Sequence, residues 1–335
     1  IPFNKKRILT VNVSFRDNQL WSQESGFITD YDKNWNKKRL LFQIIKVLEV
    51  VREFEVLLLH YDIKFAFIVG LLARILPGGR LRKIVFVTLL VDISRYKKRS
   101  FKNIIHWLMY YLFIRIPNKI LVHTSHEVIA YKKVFRDAKI NRIEQINYFS
   151  YNSFESFSKN YSKKKNSPYI VCAGNHRDIA TFVNAAKKLN RTKSIVIAGE
   201  GDRKDWGGFN NKKIQILFNQ PYSKYQEIIS GATALIIPIK KQSPIRSLGL
   251  IAAFEAIYLQ VPVIASNTFH LKDYFNSNDI YYYFSENVDS LSDKIHFVVS
   301  EPKDVFKKTR NAFEKTKIRY NKDTFLKNLY SICTE

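Results

Sequence analysis

The chain has 335 residues, of which 46% are hydrophobic and 25% charged, proportions that are typical of globular proteins and exclude a disordered or fibrous chain. This length exceeds what one ordinary hydrophobic core covers, so we expect two domains. The two cysteines, Cys172 and Cys333, exclude a disulfide framework and a multi-cysteine metal cluster. The longest apolar run, 104–114, is shorter than the roughly 18 residues of a spanning helix, which predicts a soluble or surface-bound, cytoplasmic protein.

The formal net charge is +26, and the excess is concentrated in the first half of the chain. Residues 1–165 contain 31 basic and 13 acidic side chains, whereas residues 166–335 contain 24 and 16. A surplus of this size attracts an anionic partner, which can be nucleic acid, anionic lipid or a phosphorylated substrate. Charge alone leaves these three classes open.

Short apolar runs alternate with helical stretches along the first half. The pattern predicts buried parallel strands at Arg7–Val13, Phe54–His60, Ile84–Leu90 and Lys119–His123. It predicts helices at Arg39–Arg52, Phe65–Leu76 and Phe101–Phe113. A polar stretch rich in Ser, Asn and Lys, Ser150–Ser167, is typical of a linker.

The second half repeats this alternation. We predict strands at Tyr169–Ala173, Ser194–Ala198, Lys213–Phe218, Ala234–Pro238 and Val261–Ala265. The predicted helices are Ile179–Leu189, Tyr222–Ile229 and Leu248–Leu259, with two more within Lys303–Leu329. The fold class is therefore α/β, with two doubly wound domains (1–160 and 161–310) facing each other across a cleft. A C-terminal helical segment, 311–335, can pack back on the first domain.

The sharpest local signal is the segment 247–265 (SLGLIAAFEAIYLQVPVIA). A strand ends at Pro238, and a helix is predicted from Leu248. Gly249 allows a ligand to approach the backbone, and the free N–H groups of a helix start suit phosphate. Glu255 follows two turns later, where a carboxylate can accept hydrogen bonds from sugar hydroxyls. Positive charge in the preceding loop comes from Lys240, Lys241 and Arg246. A buried strand–helix unit with a structural glutamate is the alternative.

Three other strand-to-helix corners precede this helix: GNHRD at 174–178, GEG at 199–201 and NQPY at 219–222. In this order the four segments resemble the donor domain of GT-B-fold glycosyltransferases, most closely the family 4 group of retaining enzymes. The resemblance covers 165–270 well and the first half more loosely. It implies an N-terminal acceptor-binding domain and a C-terminal nucleotide-sugar-binding domain.

The resemblance also implies roles for individual donor-binding residues. Glu255 would hold the ribose hydroxyls, and the helix start at Leu248 and Gly249 would meet the diphosphate. Arg177 would neutralise the diphosphate from a turn made by Gly174. Gly199 and Glu200 of the second corner would line the nucleotide, and Pro221 and Tyr222 of the third corner would pack against the base.

The sequence departs from the family pattern at several positions. Ser247 stands where the family has the first glutamate of its motif, so the usual contact to the donor sugar is changed or lost. The family's second basic residue has no certain counterpart, and Lys240 or Arg246 could substitute for it. His60 matches a histidine beside the donor sugar and is the candidate catalytic residue; a hydrogen-bonded core histidine is the alternative.

What the resemblance implies about activity is transfer of a sugar from a UDP- or GDP-type donor to a saccharide or lipid-linked acceptor, with retention of configuration. No protein nucleophile is expected, because the departing phosphate takes the acceptor's proton on the same face. No metal and no cofactor are expected.

A basic loop beside an aromatic-rich helix is typical of an interfacial membrane helix. The segment 95–102 leads into 104–114, which predicts contact with an anionic membrane surface on the inner face of the cell membrane. The residues concerned are Lys97, Lys98, Arg99, Lys102 and Trp107. An ordinary core helix behind a solvated loop is an equal alternative.

Two metal-like motifs are better explained by structure. Asp30-Tyr31-Asp32 follows no long hydrophobic strand and is typical of a solvated loop. His123 and His126 have no evident third ligand, and a strand end with a helix cap at Ser125 explains them.

Two other function classes remain as hypotheses. A nucleic-acid-binding protein would fit the charge and the 14% aromatic content, but the sequence has no recognisable reading module, so we expect no nucleic-acid partner. A sugar-nucleotide epimerase or a catalytically silent GT-B relative would fit Ser247.

Overall fold

The computed structural model describes most of the chain. The residues described are 7–11, 21, 25–28, 40–60, 63–75, 79–87, 104–105, 107–108, 111–112, 114–134, 142–150, 168–189, 192–198, 213–241 and 248–335.

The chain divides into two compact units. The first consists of Ile1–Asn147 together with Asp323–Glu335, and the second of Tyr148–Lys322. Residues 323–335 therefore belong to the first unit although they end the chain. The Trp21 indole N–H donates to the Leu326 carbonyl oxygen at 3.1 Å, which ties this last segment to the first unit.

The first unit contains a six-stranded, fully parallel sheet in the order β2-β1-β3-β4-β5-β6. Its strands are β1 (Ile8–Val11), β2 (Ser25–Ile28), β3 (Val56–His60), β4 (Lys83–Val87), β5 (Lys119–Val122) and β6 (Ile143–Gln145). The helices of this unit are α1 (Leu40–Val51), α2 (Ile63–Ile75), α3 (Ser125–Val134) and the final helix α9 (Lys322–Thr334). Residues described between 104 and 112 are also helical.

The second unit contains another parallel sheet, in the order β12-β11-β10-β7-β8-β9. Its strands are β7 (Tyr169–Ala173), β8 (Lys193–Ala198), β9 (Ile214–Phe218), β10 (Ala234–Ile237), β11 (Val263–Ser266) and β12 (Tyr281–Tyr283). Its helices are α4 (Ile179–Lys188), α5 (Tyr222–Gly231), α6 (Leu250–Tyr258), α7 (Val288–Ser300) and α8 (Pro302–Arg319). Counted within this unit, the order is 6-5-4-1-2-3, the arrangement of dinucleotide-binding domains, and the strand order reverses between β7 and β10.

Side chains of this second sheet alternate between two hydrophobic clusters. Val171 and Ala173 of β7 pack with residues of α5, α6 and α8 on one face. Ile170 and Cys172, the alternate residues, pack with α4 and α7 on the other. Burial raises the pKa of the Cys172 thiol to about 12, so this cysteine is an inert core residue.

The predicted strands and helices are present, as far as the structure describes them, with ends shifted by up to five residues, because hydrophobic periodicity locates an element better than its ends. The sequence did not predict three strands, β2, β6 and β12, which are three or four residues long. Helix α7 was also not predicted, and of α3 only a start near Ser125 was. Such short strands become recognisable only when a neighbouring strand pairs with them.

Thr124, rather than the predicted Ser125, caps helix α3. The Thr124 hydroxyl accepts from the Glu127 N–H at 3.2 Å, and the Glu127 carboxylate accepts from the Thr124 N–H at 2.9 Å. This reciprocal pair is a capping box, in which a Thr and a Glu three residues later satisfy each other's backbone donors. His123 is fully buried beside it, and its Nδ1–H donates to the Ile146 carbonyl oxygen at 3.2 Å.

We expect His123 to make the first unit sensitive to acid. Burial lowers the pKa of His123 from 6.5 to about 4. Between these pH values the unfolded chain binds a proton that the folded chain does not, so stability is lost as the pH falls from about 6.5 to about 4. The loss corresponds to roughly 3 kcal/mol. Urea unfolding at pH 7 and pH 4.5 measures it, and His123→Phe should flatten the dependence; an equal slope in both proteins would contradict this role.

Candidate functional site

The corner after β7 is joined to the end of β10, which is the point where the strand order of the second unit reverses. The Asp178 N–H donates to the Pro238 carbonyl oxygen at 2.8 Å. The Asp178 carboxylate also caps α4, accepting from the Thr181 N–H at 3.3 Å and from its hydroxyl at 2.6 Å. Ligands of doubly wound sheets bind at such a reversal, outside the carboxyl ends of the strands.

Arg177 lies folded into this corner. It is 9% exposed, and its Nε–H donates to the Ala173 carbonyl oxygen at 2.8 Å. A second bond runs from Nη1 to the Asn175 carbonyl oxygen at 3.2 Å. Gly174 has φ of 99°, and a Cβ there would collide with the Arg177 guanidinium. The glycine is therefore required both for the backbone turn and for the space that the guanidinium occupies.

Helix α6 begins on Gly249, in the left-handed conformation with φ of 91°. A Cβ at this position would lie 2.8 Å from Ile237 Cγ2 and 3.2 Å from Ile239 Cδ1. Glycine has no side chain that could cap the helix, so the first-turn N–H groups of α6 are not capped from that position. A helix start of this kind, at the carboxyl edge of a parallel sheet, suits a phosphate group.

Glu255 lies in the middle of α6 and is only 7% exposed. Its Oε1 accepts a hydrogen bond from the Tyr222 hydroxyl at 2.8 Å. Tyr222 is the first residue of α5, directly after the N-cap Pro221, and its side chain is largely exposed. The Gln226 side-chain amide donates to the Tyr222 hydroxyl at 3.0 Å.

Arg177 and Glu255 both influence the pKa of the same neighbouring side chain, Tyr225. Burial raises the pKa of the Tyr225 phenol, the Glu255 carboxylate raises it further, and the Arg177 guanidinium opposes both. The tertiary structure therefore brings a guanidinium from the first corner and a carboxylate from α6 into the same electrostatic environment.

An aromatic cluster holds α6 in place. Phe254, next to Glu255, makes edge contacts with Tyr274, Phe275 and Tyr320, with ring centroids 5.5–5.7 Å apart. Pairs of this kind contribute about 0.5–1.5 kcal/mol each beyond the area that they bury. Glu255 is thus carried by a rigidly packed turn of helix.

The other strand ends of the sheet are also linked to each other. The Gly174 N–H donates to the Ile197 carbonyl oxygen, and the Asn219 N–H to that of Ala198, both at 3.1 Å. The loop after β10 is held by the Ile239 N–H, which donates to the Ser266 hydroxyl at 2.7 Å. Hydrogen bonds therefore hold the described strand ends together at the edge where a ligand would bind.

The structure describes most of the predicted donor-site residues but not all of them. Gly174, Arg177, Pro221, Tyr222 and Gly249 lie at corners or helix starts of the second unit, and Glu255 lies in the middle of α6, as given above. Lys240 is exposed just after β10, and Leu248 is partly buried directly before Gly249. Four predicted residues lie outside the described part of the chain: Gly199, Glu200, Arg246 and Ser247.

The structure describes only some of the first-unit residues that were predicted to be functional. His60 is the last residue of β3, opposite Val87 of β4, and its side chain is outside the described residues. Trp107 is 40% exposed and stacks on Tyr111 with centroids 5.1 Å apart. The other proposed membrane residues, Lys97, Lys98, Arg99 and Lys102, lie outside the described residues, as does the segment 30–32.

Within the described ranges, no group of three or more His, Cys, Asp or Glu side chains is placed to hold a metal ion. In the same part of the chain, each helix is too short or too polar to span a bilayer.

Two residues of the site were missed from the sequence, Gln226 and Asp178. Gln226 lies four residues after Tyr222, and this i, i+4 spacing within a predicted helix was an available signal. Asp178 is followed three residues later by Thr181 at the start of a predicted helix, which is typical of an N-cap.

Comparison with protein families gives one match within this unit. Residues 153–319 match the family described as "Glycosyl transferases group 1". The second unit carries a glycosyl transferases group 1 domain. The turn at Gly174 and the helix start at Gly249 both lie inside the matched range. A comparison with curated protein sequences finds no significant match.

Similar solved structures match nearly the whole chain and not only the group 1 domain. HepE from Anabaena in complex with UDP and glucose superimposes with a TM-score of 0.68 at 13% identity, covering 98% of this chain and 99% of that one. HepE in complex with UDP-glucose gives 0.70 at 12%, covering 97% and 98%. Sucrose-phosphate synthase from Thermosynechococcus elongatus gives 0.65 at 13%, covering 91% and 79%.

At these identities the likeness shows the fold. The predicted α/β fold with two parallel-sheet, Rossmann-like halves is confirmed, and it matches the GT-B structures of glycosyltransferases. The group 1 domain accounts for the second of these halves.

Proposed function

We propose that this protein is a retaining glycosyltransferase that moves a sugar from a UDP- or GDP-type donor to a saccharide or lipid-linked acceptor. The observation that carries the proposal is the pairing of a helix start on Gly249, which offers no side-chain cap of its own, with the buried carboxylate of Glu255 in the same helix. The group 1 domain and the UDP-bound HepE structures of the same fold support it.

The diphosphate of the donor binds at the amino end of α6. When the glycosidic bond to the sugar breaks, negative charge grows on the leaving phosphate oxygens. The amides of the first turn of α6 and the Arg177 guanidinium stabilise that charge, because they are already in position before the reaction. Lys240, exposed after β10, and Arg246 supply further positive charge.

The nucleoside binds on the side of Glu255. Its carboxylate accepts hydrogen bonds from the two ribose hydroxyls, and Pro221 and Tyr222 pack against the base. Gly199 and Glu200 are proposed to contact the other side of the nucleotide, and Leu248 and Ser247 to contact the sugar and diphosphate. Charged donors and acceptors in such a site give orientation as well as affinity.

Retention follows from attack on the same face that the phosphate leaves. The bond from the sugar C1 to the phosphate oxygen breaks, the acceptor oxygen bonds to C1, and the acceptor's proton goes to the departing phosphate. The proposed reaction uses no metal ion. His60, at the carboxyl end of β3, is proposed to contact the donor sugar.

Glu255→Ala tests the proposal. We expect the affinity for UDP or GDP to fall roughly tenfold to a hundredfold, because hydrogen bonds to a charged group contribute about 1.5–3 kcal/mol. The fold should remain intact, since the side chain lies at the ligand edge of the unit. Isothermal titration of both nucleotides measures the affinity, and circular dichroism checks the fold.

Two outcomes would argue against the donor site. Wild-type protein that binds neither UDP nor GDP contradicts it directly. An alanine variant that unfolds makes Glu255 structural, and Glu255→Gln, which retains size and an acceptor oxygen, then serves as the binding test.

A second candidate function arises from Ser247, which replaces a family glutamate. A GT-B protein of this kind could be a sugar-nucleotide epimerase or a catalytically silent relative. Saturable nucleotide-sugar binding without transfer to any of a panel of acceptors would favour this candidate. Formation of a glycosylated product, with the anomeric configuration read by NMR, favours the transferase and tests retention.

The exposed apolar residues at 104–112 support a location on the inner face of the cell membrane. Ile104, Ile105, Leu108 and Leu112 are 43–55% exposed on a helical segment, together with Trp107. The basic stretch 95–102 directly precedes them. Apolar side chains flanked by Lys and Arg are typical of a helix that lies in the headgroup region of an anionic bilayer.

Replacing Lys97, Lys98, Arg99 and Lys102 together by alanine is expected to weaken vesicle binding by about 1 kcal/mol for each lost charge. Trp107→Ala should weaken it further through lost apolar burial. Sedimentation with vesicles containing phosphatidylglycerol measures binding, and nucleotide titration provides the control, which should not change. Equal sedimentation of wild type and variants would remove the membrane claim.

A further inference from the structure

The Tyr222–Glu255 hydrogen bond joins two helices that lie on the same face of the second sheet. Residues of α5 and α6 belong to one hydrophobic cluster, which includes Ile228, Ile229 and Phe254. Pro221, with φ of −54° and ψ of 147°, is the N-cap of α5. Tyr222 is therefore the first side chain that α5 can direct towards α6.

The hydrogen bonds at Tyr222 run in one direction. The Gln226 amide donates to the Tyr222 hydroxyl at 3.0 Å, so the hydroxyl proton is directed to Glu255 Oε1 at 2.8 Å. Hydrogen bonds in a chain polarise each other, and a bond to a carboxylate is stronger than one between neutral groups. Ring stacking on Tyr225, at 6.2 Å and 16° between planes, further limits rotation of Tyr222.

A carboxylate that must bind two hydroxyls depends on its rotation about the last side-chain bond. This terminal torsion of glutamate is broad, so nothing in the residue itself selects one angle. A donor fixed on one oxygen selects the angle before the ligand arrives. Such preorganisation improves affinity because less ordering remains to be done on binding.

We propose that Tyr222 is a positioning residue that orients the Glu255 carboxylate for the ribose hydroxyls, with Gln226 directing the Tyr222 proton. This inference rests on the proposed function, since it assumes that Glu255 binds ribose. It adds that selectivity for ribose over deoxyribose depends on the Tyr222 hydroxyl as well as on Glu255.

Tyr222→Phe separates the hydroxyl from the ring, which stays available to the base. We expect the affinity for UDP to fall about tenfold, as for a lost hydrogen bond to a charged group. The affinity for 2′-deoxy-UDP should fall less, so the ratio between the two nucleotides decreases. Gln226→Met, which keeps length but removes the amide, should give a smaller change in the same direction.

Two controls show whether Tyr222 acts through Glu255. Tyr282→Phe removes another tyrosine hydrogen bond in the same unit, to the Phe275 carbonyl oxygen at 2.7 Å, and should leave both affinities unchanged. In a Glu255→Ala background, Tyr222→Phe should have no further effect on UDP binding, because the group that it orients is gone.

The outcomes distinguish this inference from the proposed function. If wild type binds UDP and Tyr222→Phe retains its affinity and its ribose selectivity, Tyr222 positions nothing and only this inference fails. Equal weakening of both nucleotides, persisting in the Glu255→Ala background, would make the hydroxyl merely structural and also overturns it. Wild-type protein that binds neither UDP nor GDP overturns the donor site and this inference together.

Discussion

Replacing Arg177 by alanine is expected to lower the rate of sugar transfer roughly a thousandfold, at the upper end of what removal of one transition-state donor costs. The guanidinium lies at the first corner of the ligand edge and is fixed by bonds to the Ala173 and Asn175 carbonyl oxygens. In the proposed reaction its charge is therefore in place before the diphosphate begins to leave. Steady-state kinetics with a donor that wild type uses would show the loss mainly in kcat.

Arg177→Lys is the informative control for that result. Lysine retains the charge but cannot make the two carbonyl contacts with a planar group, so we expect it to recover only part of the rate. Unfolding of both variants should be measured alongside, because Arg177 also packs over Gly174. A folded alanine variant with a rate within threefold of wild type would exclude Arg177 from the reaction.

Gly249→Ala is expected to have the largest effect on the architecture of the site. The left-handed backbone at φ of 91° costs a residue with a Cβ about 1–3 kcal/mol. The new Cβ would also lie 2.8 Å from Ile237 Cγ2, which adds about 1–3 kcal/mol of overpacking. We expect chemical denaturation to show a loss of about 2–6 kcal/mol, and nucleotide affinity to fall because the start of α6 shifts.

A double-mutant cycle with Ile237→Ala separates the two causes. Removing the Ile237 side chain relieves the collision but not the backbone strain, so Gly249→Ala should cost less in that background. Full additivity of the two substitutions would show that the collision contributes nothing. A single Gly249→Ala variant with wild-type stability and affinity would contradict the requirement for glycine at this helix start.

Much of the fold could be predicted from hydrophobic patterning. Runs such as 169–173 and 234–237 are buried on both faces of a parallel sheet, so nearly every residue is apolar and the strand is evident without its neighbours. The strand Tyr281–Tyr283 was missed because three tyrosines have no distinguishing period. It is a strand because β11 pairs with it, and pairing is a tertiary property.

The candidate site could be proposed from the sequence because its features are local. A glycine at the start of a helix, a basic residue after a strand and a glutamate within the helix are local choices, visible at 174–178 and 249–255. The contacts among them were not visible. No spacing indicates that Tyr222 reaches Glu255 across 33 positions, or that Arg177 folds over Gly174.

By itself, the sequence determined that strands and helices alternate, that two parallel sheets form, and that phosphate-suited corners follow their strands, because burial and backbone freedom act through neighbouring residues. Only the tertiary structure decided the order of the strands, the inclusion of residues 323–335 in the first unit and the Tyr222–Glu255 hydrogen bond. These depend on side chains that meet only after packing brings distant segments together.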